Sequence, residues 1–415
     1  MTIEIPNKIT PRIPPYQAKA FCDRPIIKEI LSTVERIGSG VIQPPIIIQA
    51  ERGSGKTWLS LHLHRVILKL ESHTKSLLLC LSEPLDLEPE ENEWFLSQEQ
   101  NQEILQAGDE NINSILETIL QNALGKLTKD LEVWQGQSPS VGELSAWILN
   151  KIQSSPNDRW IIIVDSAFEA NWKLLAALEA RLLGALATMT NVLILITGRG
   201  KPYPWQSPYL RTQARQIELI NLSKEQAYNQ INYYKNHQKE LGVAMIPEVK
   251  WATIISESDG HPLANILLAQ NADFNTVIDY LLEIVNKPDR ALVRQYLEAL
   301  CPLDNFIEDH IGPMLDAYSG EQCYERMKRL DLRRQVLDKL IQTNLVHWQD
   351  GGYLIDTNLR SYLRRFMQLE KKEIWQRLTA KAYDLFISWA KQFPQNSEDA
   401  RYYHKQAEQY SERNL

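Results

Sequence analysis

The sequence predicts an α/β fold: a parallel sheet sandwiched by helices, followed by an all-helical region and a small helix-and-hairpin unit. Three observations carry that prediction. Short runs rich in Ile, Leu and Val recur at 45–49, 76–81, 160–164 and 192–196, with a weaker one at Ile217-Glu-Leu219. Amphipathic stretches near 58–70, 112–127, 141–154 and 171–189 separate them. Near-continuous apolar strands alternating with helices are the pattern of a parallel sheet buried on both sides. Finally, the first strand runs straight into Ala50-Glu-Arg-Gly-Ser-Gly55-Lys56-Thr57, and a helical period begins at Trp58. Strand, Gly-rich turn and helix together are the context a phosphate-binding loop requires.

The remaining elements follow in order. Residues 1–20 are Pro-rich and read as an arm, and a helix is expected over about 25–37. The span 83–110 is acidic and poor in apolar residues, which suggests an exposed insertion. After Leu222 the strand signal stops, and Ser223-Lys-Glu-Gln226 has the form of a capping box. Helices are expected over about 224–240, 248–258 and 262–284, with Gly260-His-Pro262 breaking the pattern. Pro288 marks a second boundary, followed by helices near 289–300, 305–318 and 321–343. Leu345 to Asp356 then reads as a hairpin turning at Asp350-Gly-Gly352. Three helices and a hairpin make a winged-helix pattern. Amphipathic helices near 358–392 and 396–413 close the chain as an αα-hairpin. With 415 residues the chain exceeds one ordinary core. The expected division is an arm (1–20), a nucleotide-binding domain (21–222), a helical lid (223–287), a winged helix (288–367) and a C-terminal hairpin (368–415).

Composition narrows the classes. Hydrophobic content of 44% and charged content of 23% are globular values. The four cysteines show no CxxC spacing, so neither a disulfide framework nor a zinc site is suggested. The longest apolar run, Leu182 to Thr197, is too short to span a bilayer, and the N-terminus lacks a signal-peptide layout. A cytoplasmic protein without membrane contact is expected. The net charge of −7 hides an asymmetry. Residues 76–125 hold eleven acids and no Lys or Arg, whereas 320–381 hold thirteen Lys or Arg against eight acids. That reads either as an intramolecular or self-association contact or a nucleic-acid patch in the basic part, or as two solvated faces.

The chemistry gathers around the loop. Backbone N–H groups from Ala50 through Arg52, Gly53, Ser54 and Gly55 to Trp58, with the helix N-terminus, are suited to wrap phosphates. Ala50 stands where the pattern usually has Gly. Lys56 would reach the terminal phosphates, and the Thr57 hydroxyl would hold Mg²⁺. Asp165, closing Ile-Ile-Ile-Val-Asp, would hold the same ion, while its structural alternative is a helix N-cap. Glu169 is read as the group that orients or deprotonates water, and equally as a solvated carboxylate. Arg199, after the fourth strand, is read as a γ-phosphate sensor, its alternative being a surface arginine. His62, His64 and His73 lack ligand spacing.

The order Phe21-Cys-Asp-Arg24, phosphate loop, Asp165…Glu169, Thr197-Gly-Arg199, Leu219 to Ser223, Gly260-His-Pro262-Leu and winged helix resembles the STAND class of P-loop ATPases, related to NACHT, apoptotic-ATPase and MalT-type proteins. The resemblance covers about residues 20–367. It implies an ATP- and ADP-binding switch with Mg²⁺ and low turnover, which self-associates or recruits a separate sensor or effector. It places Arg24 near the adenine and Pro262 against the base, with the lid closing over the nucleotide. It also aligns Asp356 with a position where relatives hold ADP through histidine, and Phe168 with the first of two acids. The competing expectation is a DNA-binding initiator or loader ATPase, carried by Arg326, Lys328, Arg329, Arg333 and Arg334. A third is a scaffold that binds nucleotide without hydrolysing it.

Overall fold

The computed structural model describes residues 24–70, 73–81, 109–125, 139–200, 202–321, 330–349 and 351–412. The chain divides into two compact units, Met1–Asn271 and Ala272–Leu415. The N-terminal arm, Phe21 to Asp23, the acidic span up to residue 108, and Arg326, Lys328 and Arg329 lie outside the described residues.

The first unit is built on five strands: β1 (Ile46–Gln49), β2 (Thr74–Cys80), β3 (Arg159–Asp165), β4 (Val192–Gly198) and β5 (Arg215–Glu218). Their order is β2-β3-β4-β1-β5 and every pairing is parallel. Alternate strand residues point to opposite faces. Ile47, Leu79, Ile162, Val164, Ile194 and Ile196 pack with residues of the helices Asp109–Gly125, Val141–Gln153 and Trp172–Leu178. Ile46, Ile48, Leu78, Ile161, Ile163 and Leu195 pack with α1 (Pro25–Glu35) and α2 (Lys56–Ile67). Each such side chain contributes about 1.5–3 kcal/mol on burial, so both faces are committed to helices. The register places Gln49 beside Gly198 and Val164 beside Ile196. The residues that follow β1, β3 and β4 therefore emerge together at one edge. No described helix is long and apolar enough to cross a membrane.

Several helices differ from expectation, each for a local reason. The helix expected over 171–189 contains a π-helical turn at Glu179–Leu183. It turns Glu179 inward, where the carboxylate accepts hydrogen bonds from the backbone of Gln206 (2.8 Å) and Ser207 (2.7 Å). The Ser223–Gln226 capping box forms, but its helix ends at Asn236, one residue before a short turn of helix at Gln238–Leu241. The stretch 262–284 is two helices, Pro262–Ala269 and Phe274–Leu281. Asn271 takes a left-handed conformation between them, and Asp273 caps the second by accepting from the Thr276 amide at 2.8 Å.

In the second unit, helices Lys287–Leu300, Glu308–Ser319 and Leu330–Gln342 precede an antiparallel pair, β6 (Val346–Gln349) and β7 (Gly352–Ile355). Phe306 bridges to Tyr353 as a further edge contact. The segment expected as one helix over 358–392 breaks at Lys371 into Thr357–Glu370 and Lys372–Ala390. Lys371 leaves helical geometry (φ −127°, ψ 46°), and its ammonium lies 2.6 Å from the Glu298 carboxylate. Glu398–Glu412 completes the terminal hairpin.

Candidate phosphate-binding site

The loop between β1 and α2 is defined by where its carbonyls go. Lys56 Nζ donates to the carbonyls of Ala50 and Glu51, both at 3.0 Å. The Arg52 carbonyl lies 2.8 Å from Nε2 of His261. The Leu263 amide donates to the Gly53 carbonyl at 3.3 Å. One Arg24 NH₂ group donates to the Ser54 carbonyl at 2.9 Å. Five successive carbonyls are thus held by donors. A planar trans peptide points its N–H opposite its C=O, so this directs the following amides toward the other side of the loop. Gly53 (φ +77°) and Gly55 (φ +87°) supply the left-handed backbone this path requires. The Ser54 amide is the exception, turned back to Glu51 O at 3.4 Å.

Behind the loop, Asp165 at the end of β3 is fully buried. Its Oδ2 accepts from the hydroxyls of Thr57 (2.9 Å) and Ser166 (3.0 Å). Its Oδ1 accepts from Ser60 (2.7 Å) and Thr197 (2.6 Å). A hydroxyl and a carboxylate side by side at the loop are hard oxygen donors and suit Mg²⁺, which keeps several waters and takes its remaining oxygens from phosphate. The residues present fit that ion.

Glu169 lies on the turn Ala167–Glu169. Its Oε2 accepts from the Arg199 amide at 3.0 Å, and its Oε1 is 3.8 Å from Lys56 Nζ. Arg199 is 2% exposed, so it is not a surface side chain. Phe168 is buried against β4: a Cβ at Gly198 would lie 2.4 Å from its ring and 2.8 Å from its amide. Position 198 therefore admits only glycine, and the turn that carries Glu169 is pinned to the strand that carries Arg199. Arg24 is buried and also donates to the Ile220 carbonyl at 3.1 Å, tying the loop to the segment after β5. Trp58 is half-buried between the sheet core and the Tyr234–Ile266 pair. Pro262 is buried at the first position of its helix. Asp356, in the second unit, is a buried residue preceding the helix at Thr357, with His347 at 3.7 Å.

Four residues of the site carry no assignment from sequence: Ser60, Ser166, Thr197 and His261. Ser60 had a signal, since it follows Thr57 by three residues and shares its helix face. Thr197 had one too, as a polar residue closing an apolar strand beside β3. His261 is fully buried, and burial pushes its pKa down to about 4 against the opposing pull of Arg52 O and Glu51. It is neutral at neutral pH. The Arg52 carbonyl can only accept and the Ala264 amide (3.4 Å from Nδ1) can only donate. The proton therefore sits on Nε2.

No family model matches this sequence, and no curated protein matches it. Among solved structures it is similar to a Signal Transduction ATPase with Numerous Domains (STAND) protein with a tetratricopeptide repeat sensor from Pyrococcus horikoshii. That likeness has 16% identity and a TM-score of 0.28, over 99% of this chain and 50% of the other. This chain thus spans half the length of the Pyrococcus protein. It is also similar to the Aeropyrum pernix ORC1 protein, solved in complex with DNA, at 10% identity and TM-score 0.37, over 87% and 95% of the two chains. A third likeness is to the Thermotoga maritima RuvB Holliday junction branch migration motor, at 14% identity and TM-score 0.37, over 84% and 97%. The strand order and the loop decide the fold. It is a P-loop NTPase fold, in which the edge where β1, β3 and β4 end is the ligand-binding edge.

Proposed function

We propose that this chain is a P-loop ATPase of low turnover that works as a nucleotide-driven switch of the STAND kind. The observation that carries the proposal is the loop whose successive carbonyls are capped by donors, set beside the Thr57–Asp165 pair. Loop amides and the N-terminus of α2 would bind the phosphates of ATP or ADP. Lys56 would exchange its hold on Ala50 and Glu51 for the terminal phosphates. Thr57 and Asp165 would hold Mg²⁺, which when bound neutralises charge on the phosphate oxygens. Glu169 would orient the attacking water and take its proton on Oε1, with Oε2 fixed by the Arg199 amide. Arg199 would answer to the γ-phosphate.

The domain assignment belongs to the same proposal: a nucleotide-binding domain over 21–222, a lid over 223–287, a winged helix over 288–367 and a C-terminal hairpin beyond. Nucleotide exchange would shift the population between forms of different partner affinity. The partners are a second copy of this chain or a separate sensor or effector, and the setting is the cytoplasm. The loader reading gains less support. Of the two cluster residues among the described ones, Arg333 pairs with Asp309 at 3.0 Å and Arg334 is exposed, while Lys339 on the same Leu330–Gln342 helix pairs with Asp289 at 2.5 Å.

Lys56→Ala abolishes ATP–Mg²⁺ binding if the site is correctly placed, and wild-type affinity in that variant sinks the assignment. Glu169→Gln lowers phosphate release while leaving binding in place. Oligomers that form with ATP and no DNA favour the switch; a salt-dependent shift with duplex DNA favours the loader.

A further inference from the structure

The phosphate loop is held from outside by a side chain that belongs to no phosphate-loop pattern. We propose that His261 is a positioning residue that sets the direction of the Gly53 amide and links the Pro262–Ala269 helix to the phosphate loop. The proposal rests on reading that loop as the nucleotide site.

The geometry is close and doubly constrained. Nε2 lies 2.8 Å from the Arg52 carbonyl, and that carbonyl shares a rigid peptide plane with the Gly53 amide. Fixing one end of the plane fixes the other, so the hydrogen bond aims the Gly53 N–H away from His261. The ring also presses on Gly53 itself: a Cβ there would come within 2.6 Å of His261 Cε1. The next amide along the helix, Leu263 N, holds the next carbonyl, Gly53 O. On its other side, the imidazole caps the helix through Nδ1 and the Ala264 amide. One ring therefore spans a loop carbonyl and a helix N-terminus.

The backbone that carries the ring is locked as well. Gly260 has φ +69°, and a Cβ there would lie 2.0 Å from the Leu222 carbonyl, while the Leu222 amide donates to Gly260 O at 2.9 Å. The histidine cannot turn away without moving the helix start. Any displacement of that helix must then release or retain the Arg52 carbonyl, which gives the loop a register that depends on the helix.

Two substitutions separate donation from capping. His261→Asn keeps an oxygen that caps Ala264 but is too short to reach Arg52. His261→Gln reaches as far as Nε2 with a donor. The expected result for Asn is a rise of about tenfold in amide exchange over residues 51–57 of the nucleotide-free protein. ATP–Mg²⁺ affinity is expected to fall about tenfold, with the melting temperature near wild type. Gln restores both readouts to within about threefold of wild type. Unchanged exchange in the Asn variant, or equal losses in Asn and Gln, overturns the proposal. Should wild type bind no nucleotide, the functional reading falls while the exchange measurement still decides the positioning role.

Discussion

Asp165 in the first unit and Glu298 in the second are both buried carboxylates, and they are satisfied in opposite ways. Every side-chain donor to Asp165 among the described residues is a neutral hydroxyl: Thr57, Ser60, Ser166 and Thr197. Glu298 instead meets Lys371 Nζ at 2.6 Å, the Tyr318 hydroxyl at 2.6 Å and Arg294 Nε at 2.9 Å. Burial pushes the Glu298 carboxyl up, but those hydrogen bonds outweigh it and hold it below the usual carboxylate range. Lys371 is raised in turn, because Glu298 and Tyr318 overcome the effect of its burial. A carboxylate compensated by its own cations joins helices. A carboxylate cradled by neutral hydroxyls has no cationic side chain among its hydrogen-bond donors in the described residues, which is the arrangement the proposed Mg²⁺ role calls for.

The largest effect expected from this contrast is structural. Glu298→Gln leaves Lys371 without its carboxylate, while Arg294 keeps Asp279 at 2.6 Å. Because Lys371 is about a third exposed, the cost is about 3 kcal/mol, the low end for breaking a buried pair from one side. Denaturant unfolding measures it, with the second unit losing stability and nucleotide affinity unchanged. A loss below about 1 kcal/mol would show Glu298 to be no more than a surface-type ion pair.

The same contrast explains how much the sequence discloses. The loop is legible because all its chemistry lies within Ala50 to Thr57, and Asp165 is legible because an acid closes an apolar run. The sheet is legible because both its faces are apolar. The donors that orient the loop are another matter: His261 lies 209 residues from Arg52, and only the tertiary fold brings them together. Likewise the helix break at Lys371 has no Gly or Pro to announce it. It comes from Glu298, 73 residues away.

The next effect concerns two buried histidines. Burial lowers His261 to about 4, opposed by Glu51 and reinforced by Lys56 and Arg24. Burial likewise lowers His310 to about 4, opposed by Asp309. His261 uses both ring nitrogens, whereas His310 Nε2 has no hydrogen-bond partner among the described residues and its ring stacks on Trp389. In both, the folded value lies below the unfolded value near 6.5, so the unfolded chain takes up protons first. Stability is full above about pH 6.5 and falls as pH drops toward 4, by about 3 kcal/mol for each histidine. Thermal melts at pH 7 and 4.5 test this. His310→Gln should remove about 2.5 kcal/mol of the loss between those two pH values, and an unchanged profile would refute the assignment.

A smaller, purely functional effect is expected at Asp165. Asp165→Asn keeps the shape and removes the charge, and its NH₂ group replaces one acceptor oxygen, so the two hydroxyls on that side must turn to accept rather than donate. Mg²⁺-dependent phosphate release should fall about 100-fold, equivalent to about 2.7 kcal/mol, with the melting temperature close to wild type. Equal losses of stability and turnover would make Asp165 a structural acid like Glu298.

The smallest effect tests the cradle. Thr197 donates to Asp165 Oδ1 at 2.6 Å and accepts from the Ser166 amide at 3.3 Å, so one hydroxyl joins β4 to the end of β3. Thr197→Val conserves shape and branching at a strand position, and the packing around it stays filled. What is lost is one of four donors to the carboxylate, together with the acceptor for a buried amide. The stability cost should be about 1–2 kcal/mol. Because fewer donors leave more of the Asp165 charge uncompensated, affinity for Mg²⁺ with nucleotide should not fall by more than about threefold. Turnover should suffer more than binding, since the hydroxyl also fixes Ser166, and Ser166 precedes the turn that carries Glu169. A drop in Mg²⁺ affinity as large as that of Asp165→Asn would show that the hydroxyls do more than cradle the carboxylate, and would remove the distinction between the two buried acids.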